Sequence, residues 1–239
     1  TIDHRGPEFG ALGRKVMTDI RQVFKTTHPV VIYPASGTGA WEAALVNVTS
    51  PGDHELMVET GHFAALWAKM AGKLGLQAEV LACGGDDDQF PSAPNWRRGV
   101  PADLIEQRLK KDAGRSIKAV CVVHNETSTG VTSDIAAVRR AIDAAHHPAL
   151  LMVDTISGLA SADYRHDEWG VDVLVGACQK GLMMPPGLAF VWFSDKALEV
   201  SKSADLATPY WDWKPRGRAV DFYQYFGGTA PTAHLYGLR

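Results

Sequence analysis

The chain has 239 residues, a formal net charge of −3, 46% hydrophobic and 21% charged residues. That length suits one large domain with a well-buried core, and the charge balance gives no basic face for a nucleic acid or an anionic membrane. No apolar run approaches the roughly 20 residues of a membrane-spanning helix, the amino end TIDHRGPEFG lacks an apolar secretory core, and three scattered cysteines without a CxxC suit a reducing compartment, with the cytoplasm as the expectation.

In chain order, residues 8–25 carry helical apolar spacing (Phe9, Leu12, Val16, Ile20, Val23), and PVVIYP (29–34) is a short β-branched run. ASGTGA follows, then helix-like WEAALVNV; HELMVE (54–59) is strand-like, HFAALWAKMAGKLG (62–75) helical and QAEVLA (77–82) another strand. Residues 83–100 are rich in Gly, Asp and Pro and read as an exposed loop, with Asp86-Asp87-Asp88 a solvated run. ADLIEQRLKKD is helical, IKAVCVVHN (117–125) a continuous apolar strand, and SDIAAVRRAIDAAHH a helix with Asp134 near its start. ALLMVD (149–154), VDVLVGA (171–177) and GLAFVWF (187–193) complete the strands. Near-continuous apolar strands between amphipathic helices predict a three-layer α/β/α domain with a mostly parallel, mixed sheet of about seven strands. The chain starts on Thr1, and Leu235 and Leu238 begin a helical spacing at its end, so it is expected to be part of a longer protein.

In such a sheet the loops at the strands' carboxyl ends build the site. Four carry suggestive residues. Ser36-Gly37-Thr38-Gly39 opens a helix straight after a strand, offering backbone N–H groups and two hydroxyls to a phosphate-sized anion. It lacks the GK[ST] of a nucleotide loop, and Glu42 stands where a dinucleotide fingerprint has its third glycine. By itself such a turn is more often just a turn. Asn125-Glu126-Thr127-Ser128-Thr129-Gly130, Asp154-Thr155 and Cys178-Gln179-Lys180 follow the other strands.

Asp154 alone reads as a strand-end acid or helix cap, and Lys180 alone as a surface-seeking side chain. Together they mean more. A buried carboxylate needs a cation, and a desolvated lysine becomes a nucleophilic amine suited to a Schiff base. A phosphate cradle, an acid and such a lysine are the requirements of pyridoxal 5′-phosphate.

SGTGAWEAAL, ETGHFAALW, HNETSTGV, MVDTISGLAS, DEWGVDVLVGACQKGLMMPPG and YFGGTAPTAHLYGLR, in this order, resemble the class V aminotransferases of fold type I, in particular their serine–glyoxylate and alanine–glyoxylate group. The resemblance implies that Lys180 forms the imine with the cofactor, that Asp154 pairs with the pyridinium, and that Ser36, Gly37, Thr38 and Gln179 hold the phosphate. It puts Thr127 on the ring's phenolic oxygen, Phe63 on the pyridine face, and Thr229 on the phosphate of a second subunit in a homodimer with shared sites. The implied reaction moves an amino group from serine or alanine to a 2-oxo acid, glyoxylate. On this resemblance residues 1–239 form the cofactor-binding large domain with its N-terminal helical segment. The family's substrate-binding arginine, in a C-terminal small domain, and a short N-terminal glycine-containing segment lie outside it.

Cys178 and Gly158 stand where the group has serines, and both are small enough that the geometry is expected to survive. Phe226 replaces a tyrosine that some relatives place near the partner's phosphate. A class V lyase of the cysteine desulfurase type is an alternative, although that type has histidine where this chain has Gln179; a cofactor-binding chain without turnover is another. Nine histidines show no metal-ligand spacing, and no metal is expected. His146-His147 suits a helix end. His124 and His62 lie near the expected pocket, with packing at least as good a role, and YWDWKPRG (210–217) reads as an anchored aromatic loop.

Overall fold

The computed structural model of the chain describes residues 3–83, 99–216 and 221–239. Asp86-Asp87-Asp88, the loop around it and Gly217 lie outside these residues. Seven strands form one sheet: β1 (Val31–Ala35), β2 (His54–Glu59), β3 (Gln77–Ala82), β4 (Ile117–Val123), β5 (Leu150–Asp154), β6 (Val173–Ala177) and β7 (Gly187–Phe193). Their order is β1-β7-β6-β5-β4-β2-β3. Only β7 runs against its neighbours, β1 and β6; the other pairs are parallel. This is the mostly parallel mixed sheet that the apolar runs predict. β1 starts at Val31 rather than Pro29, whose ring nitrogen has no hydrogen to give a ladder.

The helices are α1 (Pro7–Phe24), α2 (Gly37–Val48), α3 (His62–Lys73), α4 (Ala102–Lys111), α5 (Ile135–Ala144), α6 (Asp195–Val200) and α7 (Thr232–Gly237). Register partners share a face of a sheet, which assigns the layers. Trp41 of α2 donates to Asp154 and stacks on Trp67 of α3, and Asp154 is the register partner of Val175. So α2 and α3 cover the Asp154–Val175 face. Phe24 of α1 packs on Phe190, the partner of Gly176, on the opposite face. Phe24 and Phe190 are fully buried, each worth about 1.5–3 kcal/mol of transfer free energy.

Pro7 starts α1 where its missing N–H costs nothing, and Lys25 closes it in the left-handed region at φ 51°. Asp134 caps α5 by accepting from the Ala137 N–H at 2.8 Å. Two short elements lack a sequence signal of their own: α6, capped by Ser194, and a 3-10 turn, Phe222–Phe226. His147 sits at the end of α5, its N–H donating to the Ile142 carbonyl. It is buried, its Nδ1 accepts from the Ala149 N–H, and the remaining Nε2–H is left to donate to Asp112. YWDWKPRG is anchored as expected over residues 210–216: Trp213 stacks on Phe193 at 4.1 Å, and Arg216 is buried against Tyr33.

Glu55 in β2 is fully buried, with one oxygen 3.9 Å from the Cys121 Sγ and the other without a partner among the described residues. Burial, then Asp53, push its carboxyl well above the usual range. Its proton therefore stabilises the fold below the unfolded value of about 4.3, and that contribution is lost as pH rises towards the folded value. Glu55→Gln keeps the shape without the charge. It is expected to match the parent near pH 4 and to gain about 1–3 kcal/mol at pH 8, read as a difference in thermal midpoint between the two pH values. A variant less stable than the parent at pH 8 would refute this account.

Candidate active site

Because β7 is reversed, its amino end meets the carboxyl ends of its neighbours: Gly187 is the partner of Ala35, and Ala177 of Ala189. The loops after β1, β4, β5 and β6 thus open on one edge of the sheet and surround a cavity of about 170 Å³. It is lined by eight of the nine sequence-predicted site residues; Thr229 lies elsewhere.

Straight after β1, Ser36-Gly37-Thr38-Gly39 opens the first turn of α2, as its sequence suggests. Ser36 is its N-cap residue, with extended backbone and no capping hydrogen bond from its own side chain. No acidic residue occupies that turn, so the positive end of the helix and the Ser36 and Thr38 hydroxyls face the cavity without an internal anion. The turn is tightly buttressed. A Cβ on Gly37 would lie 2.4 Å from the Ile156 side chain, and one on Gly39 would lie 2.8 Å from the Trp211 ring.

Asp154 ends β5 at 3% exposure. One carboxylate oxygen accepts from Trp41 Nε1 and the other from the Ile156 N–H, both at 2.7 Å. Burial is the largest influence on its acidity. The two hydrogen bonds and the nearby Lys180 oppose burial, Glu126 reinforces it, and the pKa settles at about 6. Phe63 at the start of α3 and Ile156 add apolar walls. The Thr127 hydroxyl meets that of Ser157. Gln179 brings an amide oxygen that is buried and has no partner among the described residues.

Lys180 corrects one expectation. The strand stops at Ala177, residues 178–180 turn out of the sheet, and the lysine is exposed at the cavity rim, not desolvated. Its backbone is nonetheless fixed, since its carbonyl accepts from Met183 and that of Cys178 from Met184. Cys178 behaves as a small hydrogen-bonding residue there, with its Sγ 3.1 Å from the Pro185 carbonyl and 3.3 Å from the Leu188 N–H. At Gly158 the packing leaves no room for a side chain: a Cβ would lie 2.4 Å from Asn125 Oδ1 and 2.8 Å from His124 Nδ1. A serine at that position would have to displace Asn125. His124 is buried behind the cavity against Tyr164 and Trp169, and His62 is exposed; neither lines the cavity. Thr229 lies in a separate recess with His4, Arg5 and Tyr223, and Phe226 is buried against Phe222 and Tyr225.

Sequence reading missed Trp41, Asn125, Ile156 and Ser157 as lining residues. A tryptophan five positions after the cap serine sits among apolar helix residues and reads as core. Ile156 and Ser157 come just after Asp154-Thr155 in the same strand-end loop, which was the available signal. Among the described residues no cluster of three or more His, Cys, Asp or Glu is arranged for a metal, and no helix is long and apolar enough to cross a membrane.

The aminotransferase class-V family model matches residues 1–239. The chain is 46% identical over its whole length to the L-aspartate–glyoxylate aminotransferase of Paracoccus denitrificans, of which it spans 58%. It is also 46% identical, over 99% of its length, to the serine–glyoxylate aminotransferase of Hyphomicrobium methylovorum, of which it spans 56%. A solved alanine–glyoxylate aminotransferase from Nostoc sp. superimposes with a TM-score of 0.85 at 28% identity, over 99% of this chain and 59% of that one. A match along the full chain, with the strand-end loops meeting where such enzymes would need them, makes this chain a member of the class-V aminotransferase family.

Proposed function

We propose that the chain binds pyridoxal 5′-phosphate in this cavity and transfers an amino group from a small amino acid to a 2-oxo acid. The observation that carries the reading is the meeting, in one cavity, of a helix amino end free of acidic side chains, a buried carboxylate and a lysine. The residues fit the cofactor. The first turn of α2, with Ser36, Gly37 and Thr38, would hold the phosphate, and Gln179, which lines the same cavity, would donate to it from its amide nitrogen. Asp154 would meet the ring nitrogen, Phe63 and Ile156 the ring faces, and Thr127 the phenolic oxygen.

Bound there, pyridoxal phosphate supplies an aldehyde that condenses with amines and a ring that withdraws electrons. Asp154, kept oriented by Trp41 and Ile156, would hold a proton on the ring nitrogen and so favour that withdrawal. The Lys180 Nζ would anchor the cofactor and, once freed by the incoming amine, would be the base that takes the proton from the substrate's α-carbon and the acid that returns it. The apolar walls exclude water while the proton moves.

Glyoxylate is the proposed acceptor, as in the names of the relatives. Serine or alanine is the proposed donor, with aspartate added by the Paracoccus relative. On this reading residues 1–239 are the cofactor-binding large domain, and groups beyond them meet the substrate carboxylate. The position of Thr229 away from its own chain's cavity, and Met183 at 91% exposure beside the Lys180 turn, support a homodimer in which each copy completes the other's site. Three free cysteines support a cytoplasmic location.

The test is absorption of the chain loaded with pyridoxal phosphate, near ~420 nm, before and after serine, alanine or aspartate, with glycine measured once glyoxylate is added. Loss of the band and formation of glycine are expected. A band indifferent to every amino acid would leave a cofactor-binding chain without turnover, and release of sulfide from cysteine would favour the lyase.

A further inference from the structure

The amino end of α3 cannot cap itself. Its N-cap residue is Gly61, which has no side chain to offer. All three leading N–H groups are instead satisfied by the loop after β4, more than sixty residues on. The His62 N–H donates to Ser128 Oγ at 2.9 Å, and those of Phe63 and Ala64 donate to Glu126 Oε2 at 3.1 Å. The other Glu126 oxygen accepts from the Ser128 N–H at 3.0 Å and from the Ser128 hydroxyl at 2.8 Å. The carboxylate is 1% exposed and has no ion-pair partner among the described residues. The fit leaves no slack: a Cβ on Gly61 would lie 2.5 Å from Ser128 Oγ and 2.6 Å from Glu126 Cγ, and φ there is 153°.

We propose that Glu126 is a positioning residue for the cofactor slot. Its carboxylate ties the Phe63 backbone on one wall to the Glu126–Ser128 segment, and hence Thr127, on the other. A local cap such as serine would satisfy the same N–H groups without joining two walls; a carboxylate from the facing loop fixes their spacing. It also places a buried negative charge close to Asp154, where it favours a proton on Asp154 or on whatever Asp154 pairs with. The other titratable groups on the surrounding elements are Lys180, which acts on Asp154 in the opposite sense, the exposed His62 and the buried His124.

This inference rests on the proposed function, and its test separates the two. Glu126→Gln keeps the length and removes the charge; Glu126→Asp keeps the charge and withdraws it from α3. Two quantities are measured well below each variant's thermal midpoint. One is the dissociation constant for pyridoxal phosphate. The other, in protein without added cofactor, is the pH midpoint of the Trp41 indole N–H resonance, identified by its loss in Trp41→Phe; it reports on Asp154, to which that N–H is bonded. Both variants are expected to bind pyridoxal phosphate about tenfold or more weakly, a loss of at least one charge-assisted hydrogen bond. The Trp41 midpoint, near pH 6 in the parent, is expected to fall in Glu126→Gln. Parent-like affinity in both variants, or an unmoved midpoint in folded Glu126→Gln, would reduce Glu126 to an ordinary helix cap and overturn the proposal. A parent that takes up no pyridoxal phosphate, with a midpoint that still responds to Glu126→Gln, would sink the functional reading and leave the coupling of Glu126 to Asp154 standing.

Discussion

Lys180→Ala is expected to abolish the borohydride-stable adduct with pyridoxal phosphate and to lower amino transfer by at least about 10²–10⁴-fold, the worth of a positioned proton-transfer group alone. The fold should not notice. Lys180 is exposed and has no ion-pair partner among the described residues, so its truncation is expected to cost less than about 0.5 kcal/mol. Its backbone turn is held by others. The Lys180 and Cys178 carbonyls accept from Met183 and Met184, and a Cβ on Gly181 would lie 2.1 Å from the Leu159 carbonyl oxygen, so the next residue must stay a glycine. Lys180→Arg supplies the control, because it keeps a cation without a nucleophilic amine; it too should lose the adduct. Equal adduct in the parent and Lys180→Ala, with equal thermal midpoints, would mean that scattered surface lysines react and that the site assignment is wrong.

Most of the β-strands were legible because they are apolar runs of five to seven residues covered on both faces, and Leu150–Asp154 and Val173–Ala177 are buried at every position; the edge strand Gln77–Ala82 has no buried position. The order of the strands was not legible. Nothing in PVVIYP announces that it pairs with GLAFVWF at the other end of the chain, because two equally apolar strands carry no register label. Charge inside a strand carried no signal of its burial: nothing in HELMVE announces that Glu55 is fully buried. At the site, residues carrying familiar chemistry (Lys180, Asp154, Ser36) could be named from their place at strand ends. Those acting through geometry could not. Glu126 has meaning only because Gly61, 65 positions earlier, leaves a helix end bare. Trp41 is recognisable only once α2 is known to lie over β5. Lys180 was placed in the right loop, after a strand that ends at Ala177 as read, but with the wrong exposure, since a strand end does not say which way the following turn leads its side chains.

Asp154→Asn is expected to give a protein that is more stable at neutral and higher pH and nearly inactive. The Asp154 pKa is raised to about 6 from about 3.9 in an unfolded chain. Its protonation therefore stabilises the fold fully below the unfolded value, and that contribution is lost as pH rises through the folded one. A difference of about two units corresponds to roughly 3 kcal/mol. Asparagine is neutral like the protonated acid, and its oxygen still accepts from Trp41 or Ile156; the other donor meets an amide nitrogen, which cannot accept where the acid's hydroxyl oxygen could, and that takes back part of the gain. The variant should fall somewhat below the parent near pH 4, where the lost acceptor is the only difference, and exceed it by less than roughly 3 kcal/mol at pH 8, visible in denaturant midpoints at the two pH values. Transfer activity should fall by about 10²–10³-fold, because the amide carries no charge to hold a proton on the ring nitrogen. Lower stability than the parent at pH 8 would show that Asp154 is a structural anion. Retained turnover would remove it from the chemistry altogether. Greater stability joined to lost activity is the signature of a buried charge kept for function.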